Sequence, residues 1–277
     1  MAAQHLDIVR ALREHWPEYL MEAWGLGTFM VSAGLFATLL EYPGSPVHQA
    51  IADPDLRRGL MGVAMGLTAI AIIYSPWGKR SGAHINPAVT LGFLRLGKVN
   101  RTDAAFYILA QFLGALIGVV LVWTLLGTAF SAPPVRFANT LPGAGGAGVA
   151  FIVEAAMACG LMLMVVTALA SVRYMALIGA FAGLMVAAYI ALLGPLSGMS
   201  INPARTFASA APEGLWDYLW LYFTAPVLGM LAAVEIARLV RLRRERICAK
   251  LNHDAAYRCI HCGYEPPRNS DTGEPKR

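Results

Sequence analysis

Six long apolar stretches, separated by short polar segments, dominate the pattern of hydrophobic and polar positions along the chain. Each stretch contains about 20 residues or more, the length that an α-helix needs to cross a bilayer. The stretches are apolar all round rather than on one face, which suits lipid-exposed helices. We therefore predict an all-α membrane protein with six transmembrane helices at 19–40, 59–77, 104–130, 148–171, 174–196 and 216–240.

Composition and charge support a membrane protein and predict its orientation. The chain is 57% hydrophobic and 14% charged, whereas soluble domains carry about 25% charged residues. An even number of helices puts both termini on one side, together with the basic residues Arg10, Arg13, Lys79, Arg80, Arg95, Lys98, Arg101, Arg173 and an arginine-rich tail. The positive-inside rule makes that side cytoplasmic. If one of these helices instead lies in the membrane interface, the number of spans is odd and the two termini lie on opposite sides. The basic tail is read as a membrane flank, so no nucleic-acid partner is expected.

Two copies of one motif relate the halves of the chain. "SGAHINPAVT" occupies 81–90 and "SGMSINPART" occupies 197–206, followed by "YILAQFLG" from Tyr107 and "YFTAPVLG" from Tyr222. A glutamate precedes each copy inside an apolar run, Glu22 in the first half and Glu154 in the second. Three helices per half is an odd number, so the second half must be inserted upside down. Inverted repeats place their functional site near the membrane midplane.

The Asn-Pro-Ala triplets predict helix starts rather than breaks. Asparagine is a favoured N-cap and proline a favoured first residue, and the apolar stretch after each triplet is too short to span a bilayer. We expect re-entrant half-helices that begin at Asn86-Pro87-Ala88 and at Asn202-Pro203-Ala204. Irregular backbone at this depth is tolerated where it lines a cavity. The loops before the triplets, with Gly82, Ala83 and His84 in one and Gly198 and Ser200 in the other, are therefore expected to line a pore with their carbonyls.

These motifs, which run from Glu22 to about Gly229, resemble those of the aquaporins, the major intrinsic protein family. The resemblance implies a bundle of six helices and two half-helices, assembled as a homotetramer with one pore per subunit. It assigns Asn86 and Asn202 as donors to water at the pore centre, and Glu22 and Glu154 as hydrogen-bonding supports of the two loops. Aquaporin-type pores are themselves the standard example of ion exclusion by an arginine and by half-helix dipoles.

The resemblance also places an outer constriction at Arg205, Met199, Ile190 and Met65, with Gly66 as an alternative to Met65. Water channels of the family typically carry an aromatic residue and a histidine there, so this constriction is expected to be wider and more apolar. The alternative is that the methionines are ordinary packing residues. Other markers favour the water-selective branch, namely Thr206, Ala210 and the pair Tyr222-Phe223. His84 is expected either in the cytoplasmic vestibule or as a loop residue.

Three segments follow from this pattern: an N-terminal cytoplasmic segment 1–18, a channel domain 19–240 and a cytoplasmic tail 241–277. The channel domain divides into halves 19–130 and 147–240, joined by a Pro- and Gly-rich outer loop 131–146. The N-terminus lacks the features of a signal peptide, so the first apolar run is expected to be a retained helix. The four cysteines do not form a disulfide framework.

The cysteines of the tail leave two interpretations open. Cys259-x-x-Cys262-Gly resembles one knuckle of a zinc ribbon, and Cys248 with either His253 or His261 completes four nitrogen and sulfur ligands. The other interpretation is a disordered tail with free, reduced cysteines. No other cofactor is expected.

The expected function is passive conduction of water, with small uncharged solutes as further permeants and with protons and ions excluded. A bacterial inner membrane is the expected location. The chain has no nucleotide motif and no catalytic constellation, so it is not expected to be an enzyme. The alternatives are a glycerol or small-solute facilitator, an inverted-repeat secondary transporter and a non-conducting relative.

Overall fold

The protein is described from a computed structural model, which covers residues 2–240 and 248–267, with side chains from residue 8 onward. The arginine-rich segment 241–247 and the end of the tail, 268–277, both predicted to be cytoplasmic, lie outside the described residues. Within the described ranges the helices are α1 Ala2–Glu41, α2 Pro46–Ala50, α3 Pro54–Tyr74, α4 Pro76–Ser81, α5 Pro87–Arg95, α6 Arg101–Leu126, α7 Thr128–Ser131, α8 Gly146–Leu169, α9 Ile178–Ser197, α10 Pro203–Ala210 and α11 Leu219–Leu239.

Six of these helices, α1, α3, α6, α8, α9 and α11, are long and apolar enough to cross a membrane. The six predicted spans are thus confirmed, but their ends differ: α3 begins at Pro54 rather than 59, α9 begins at Ile178 rather than 174, and three further shifts follow. Helix α1 takes in most of the predicted N-terminal segment and continues through Pro17. The second predicted span ends at Tyr74, because Ser75 caps a separate short helix, α4. The third ends at Leu126, where Gly127 has a positive φ of 54°.

The two halves form the expected inverted repeat, in which α1, α3, α5 and α6 correspond to α8, α9, α10 and α11. Helix α1 packs on α6, and α8 packs on α11. The halves meet where α3 packs on α9, and each half-helix packs against the last helix of the other half, α5 on α11 and α10 on α6. Small residues permit these close approaches. A Cβ at Gly118, for example, would lie 2.5 Å from the carbonyl oxygen of Gly27.

Large apolar side chains cover the outer surface of the bundle, as lipid contact requires. Leu125, Ile152, Leu184 and Leu192 are each more than 60% exposed. The polar residues that the repeat singles out are instead buried in the interior, where the half-helices α5 and α10 meet. We call the face at which α1 begins and α11 ends the terminal face, and the opposite face the distal face.

Candidate functional site: two facing helix starts

The half-helices α5 and α10 begin at the two asparagines, and their N-termini face each other. Asn86 Oδ1 accepts a hydrogen bond from the N–H of Ala88 at 2.9 Å, and Asn202 Oδ1 accepts one from the N–H of Ala204 at 3.1 Å. Each amide then donates to the opposite loop: Asn86 Nδ2 to the Ile201 carbonyl at 2.7 Å, and Asn202 Nδ2 to the Ile85 carbonyl at 2.8 Å. These reciprocal bonds hold the helix starts together. An amide nitrogen carries two hydrogens, so each has a second N–H to offer.

The loops before the asparagines share an unusual backbone. Ala83 and Ile85 in the first loop have φ values of 52° and 41°, and the corresponding Met199 and Ile201 have values of 49° and 47°. Such conformations cost roughly 1–3 kcal/mol each in residues other than glycine. They persist only where the surroundings hold them, so the contacts of the loop N–H groups explain the geometry.

Two fully buried glutamates supply those contacts. Glu22 accepts from the Ser81 hydroxyl at 2.8 Å, the His84 N–H at 3.0 Å and the Ile85 N–H at 2.7 Å. Glu154 accepts from the matching groups in the other half: the Ser197 hydroxyl at 2.8 Å, the Ser200 N–H at 2.8 Å and the Ile201 N–H at 2.5 Å. The loop N–H groups therefore point toward the glutamates, which leaves the loop carbonyls to face the other way.

The structure shows three further contacts around the two loops that the sequence did not predict. Tyr107 and Tyr222, noticed only as a repeat, donate to the carbonyls of Ser81 and Ser197 at 2.7 and 2.6 Å. The duplicated Ser-Gly at the start of each motif was the signal for those serines. Gln111 Nε2 donates to Glu22 at 2.8 Å. Its counterpart in the repeat is Pro226, so no symmetry signal marked it.

A cavity of about 170 Å³ runs along the two loops, bounded on the other side by apolar side chains of α3, α8 and α9. The two asparagines line it, and so do all four predicted constriction residues, Met65, Ile190, Met199 and Arg205. Gly66, the alternative to Met65, lies instead against α9, where an added Cβ would be 2.5 Å from the Gly183 carbonyl oxygen. Met65 is therefore the residue that faces the cavity.

Arg205 is the single lining residue with a fixed charge among the described residues that surround the cavity. Its Nη1 atom is buried and has no hydrogen-bond partner in the described part of the protein. A guanidinium N–H that no protein group occupies can donate to a molecule in the cavity.

The terminal end of the cavity is covered by the tail. The Leu251 N–H donates to the Gly82 carbonyl at 3.0 Å, and Leu251 is one of the lining residues. His84 Nε2 donates to the Ala249 carbonyl at 2.8 Å, so His84 lies at this mouth as a buried residue. Residues between 249 and 261 thus have defined partners on the channel, among them Lys79 for Asp254 and Glu18 for Arg258, which the interpretation of a disordered tail did not predict.

The tail also brings four predicted ligands together. The ligand atoms of Cys248, His253, Cys259 and Cys262 all lie within 4.8 Å of one another. His261, the alternative to His253, stacks on His84 with ring centroids 5.6 Å apart and does not join the group.

Comparisons with known proteins agree with this architecture. Residues 13–236 match the Major intrinsic protein (MIP) family. Aquaporin TIP4-4 of Zea mays is 36% identical over 211 residues, covering 72% of this chain and 81% of that protein. Probable aquaporin AqpM of Archaeoglobus fulgidus is 37% identical over 180 residues, covering 62% of this chain and 72% of that protein. The structure of the aquaglyceroporin from Plasmodium falciparum, at 22% identity, superposes with a TM-score of 0.68 over 81% of this chain and 96% of that chain.

The chain therefore belongs to the major intrinsic protein family and has the aquaporin fold. It is an integral, multi-pass membrane protein and a passive channel, not an enzyme.

Proposed function

We propose that this channel conducts water, admits small uncharged solutes as minor permeants and excludes protons and ions. The observation that carries the proposal is the pair of reciprocally bonded asparagines, Asn86 and Asn202, at two facing helix starts inside one cavity. Their remaining N–H groups suit a water oxygen, which then donates its two hydrogens outward to the loop carbonyls. A water molecule held in this orientation interrupts the hydrogen-bonded chain that a proton would follow.

Electrostatics at the same place oppose cations. Each helix N-terminus carries about half a positive elementary charge, and two of them meet at the asparagines. Arg205 adds a full charge to the cavity wall. Because both effects act in a narrow, largely apolar cavity, they are screened less than they would be in bulk water.

The preference for water over glycerol rests on polar contacts near Arg205. The Thr206 hydroxyl bonds to Thr140 at 3.0 Å and also to the lining residue Ser200, so this marker of the water-selective branch is held in place beside Arg205 without lining the cavity itself. The rival is a glycerol facilitator, and the apolar residues Met65, Ile190 and Met199 favour it. Methionine has three soft torsions, which makes such a wall adaptable.

Stopped-flow light scattering of reconstituted vesicles tests the proposal, first with a sucrose gradient and then with a glycerol gradient. Each gradient is applied with and without a zinc chelator, because the tail that covers the terminal mouth carries four candidate metal ligands. In the presence of the chelator we expect rapid shrinkage in sucrose and slow re-swelling in glycerol. Equal water and glycerol permeabilities would establish the facilitator instead. Dependence of the flux on a proton or sodium gradient would establish a secondary transporter.

The role of Met199 can be tested in the same assay. Met199→Trp is expected to reduce solute flux several-fold, because its larger side chain fills the cavity that Met199 lines. Met157→Leu is the matched control, since Met157 is buried in the core but does not line the cavity. Unchanged flux in a folded Met199→Trp protein would remove Met199 from the constriction.

We further propose a homotetramer with a cytoplasmic terminal face, in a bacterial inner membrane. The excess of Lys and Arg on the terminal face supports the orientation, and the resemblance to aquaporins supports the tetramer. Light scattering of the purified protein measures the oligomer, and protease access in sealed right-side-out vesicles measures the orientation.

A further inference from the structure

The tail residues 248–264 contain a group of side chains with the spacing of a metal site. Cys248 Sγ lies 3.5 Å from Cys259 Sγ, and His253 Nε2 lies 3.4 Å from Cys262 Sγ. In tetrahedral zinc sites the Zn–S and Zn–N bonds are about 2.3 and 2.1 Å, so neighbouring ligand atoms are about 3.4–3.8 Å apart. The two distances match such edges, and the cysteines are free thiols.

The backbone around the second cysteine pair has the turn that such a site needs. Gly263 has a φ of 73°, and its N–H donates to the Cys259 carbonyl at 2.9 Å. The Cys259 N–H in turn donates to the Tyr264 carbonyl at 2.8 Å. This tight turn puts the side chains of Cys259 and Cys262 on the same side, facing Cys248 and His253.

We propose that Cys248, His253, Cys259 and Cys262 bind one Zn²⁺ ion or a similar soft divalent cation, and that this site holds the tail in the terminal mouth of the pore. The second part rests on the proposed channel function. Loss of the metal then opens the mouth, so the tail is a metal-dependent gate.

Charge complementarity supports the metal site. Lys250, two residues after Cys248, is fully buried, and in the described part of the chain its ammonium donates only to the neutral carbonyl of Arg258, at 2.8 Å. A buried cation is costly without a nearby anion. A zinc ion with three thiolates and one imidazole carries a net charge of −1, which would provide that anion.

The ligand spacing links the metal directly to the pore. Residues 249–251 lie between the ligands Cys248 and His253, and they supply the carbonyl bonded by His84 and the Leu251 side chain in the cavity. His261 lies between the other two ligands and stacks on the His84 ring. Both segments between ligands therefore reach the mouth of the pore, so a change at the metal is transmitted to it.

Without metal the tail is held only by its contacts with the channel, which include the Leu251–Gly82 hydrogen bond and the ion pairs Arg258–Glu18 and Lys79–Asp254. A segment of about 20 residues cannot bury a core of its own, and in small metal sites the binding free energy is also the folding free energy. The ion pair between Lys79 and Asp254, at 3.0 Å, is partly exposed. Such pairs contribute about 1 kcal/mol or less.

Metal analysis of the full-length protein tests the site itself. We expect one zinc per chain by elemental analysis and, after exchange, the thiolate-to-metal charge-transfer absorption of Co²⁺. Cys262→Ser and His253→Ala should lose the metal. The matched controls Cys159→Ser and His261→Ala should keep it, since Cys159 lies in α8 and His261 stacks on His84 outside the ligand group. Substoichiometric metal in the wild type, or a disulfide between two of the four residues, would overturn the site.

Water flux tests the gate. In reconstituted vesicles a membrane-permeant zinc chelator should raise the water permeability of the wild type several-fold. Cys262→Ser should be open and insensitive to the chelator, and His261→Ala should be more open while still holding zinc. Bound metal with a permeability that the chelator does not change would overturn the gate.

The two proposals fail in different ways. If the protein is not a water channel, the wild type, the chelated protein and Cys262→Ser all stay at the permeability of empty vesicles, although the untreated wild type still binds one zinc per chain. If the protein is a water channel but the tail does not gate it, the wild type has a high water permeability before the chelator is added.

Discussion

The two re-entrant loops, 82–86 and 198–202, are built on the same plan but end in different surroundings. In both, a buried glutamate accepts from a serine hydroxyl and two backbone N–H groups, and a tyrosine donates to the serine carbonyl. The shared contacts hold strained backbone that lines the cavity. What the loops share is thus the scaffold of the channel.

Besides Ala83 against Met199, the halves differ at three positions of the repeat that bear on this comparison. Three residues after the asparagine, the first half has Val89 and the second has Arg205. Two residues before it, His84 meets the tail, whereas Ser200 bonds within its own half to Thr206. The third is Gln111 against Pro226. The second loop therefore carries the fixed charge of the pore and the first carries the contact with the tail, which suggests selectivity at one end and gating at the other.

The largest expected effect comes from removing a shared contact. Glu154→Ala leaves two buried N–H groups and a hydroxyl without acceptors, and hydrogen bonds to a charged group are worth about 1.5–3 kcal/mol each. We expect a loss of roughly 4 kcal/mol or more in stability, about 10 °C in thermal unfolding in detergent, together with loss of flux. Glu22→Ala should behave alike, and Glu235→Ala, at the protein surface, is the control. If Glu154→Ala or Glu22→Ala lowered the unfolding temperature only slightly, the two loops would not be held in the same way.

Making the second loop like the first is expected to change selectivity more than stability. Arg205→Val introduces the side chain that the repeat has at Val89 and removes the fixed charge from the cavity. Glycerol re-swelling should rise several-fold, and a pH-sensitive dye inside the vesicles should report a proton leak. Both assays are run with chelator, and Val89→Ala serves as the control. Unchanged selectivity would show that the charge is not what distinguishes the loops.

The smallest effect is expected at Gln111, which has no counterpart in the repeat. Gln111→Leu is nearly isosteric and removes donor bonds to Glu22 at 2.8 Å and to Thr90 at 3.1 Å. One to two such bonds correspond to about 1–2 kcal/mol, or roughly 3–6 °C in thermal unfolding. Leu113→Ala, on the exposed face of the same helix, is the control. A shift as large as that of Glu22→Ala would mean that the first loop depends on Gln111 as much as on its glutamate.

Most of the fold could be predicted because membranes impose simple rules. Apolar length gave the six spans, and the duplicated Asn-Pro-Ala gave the half-helices through capping preferences that are local to a few residues. The ends of the helices were less predictable, because they depend on caps such as Ser75 and on a turn such as Gly127 that compete with continued apolar sequence.

The candidate site was predictable wherever the repeat marked it. Glu22, Glu154 and the asparagines appear in matched pairs. Gln111 does not, and Met65 could be separated from Gly66 only by the side of α3 that faces the cavity. The choice between His253 and His261 likewise needed the folded structure, since both lie within a few residues of the cysteines.

The sequence by itself determined the six membrane-spanning helices, the inverted repeat and the family, because these depend on hydrophobic length, motif spacing and local capping. The tertiary structure alone decided that the tail reaches the pore. That contact joins Leu251 to Gly82 and Ala249 to His84 across more than 160 positions of sequence. No local pattern encodes a bond of this kind, because it forms only when the folded channel presents the loop carbonyl and the histidine to the tail together.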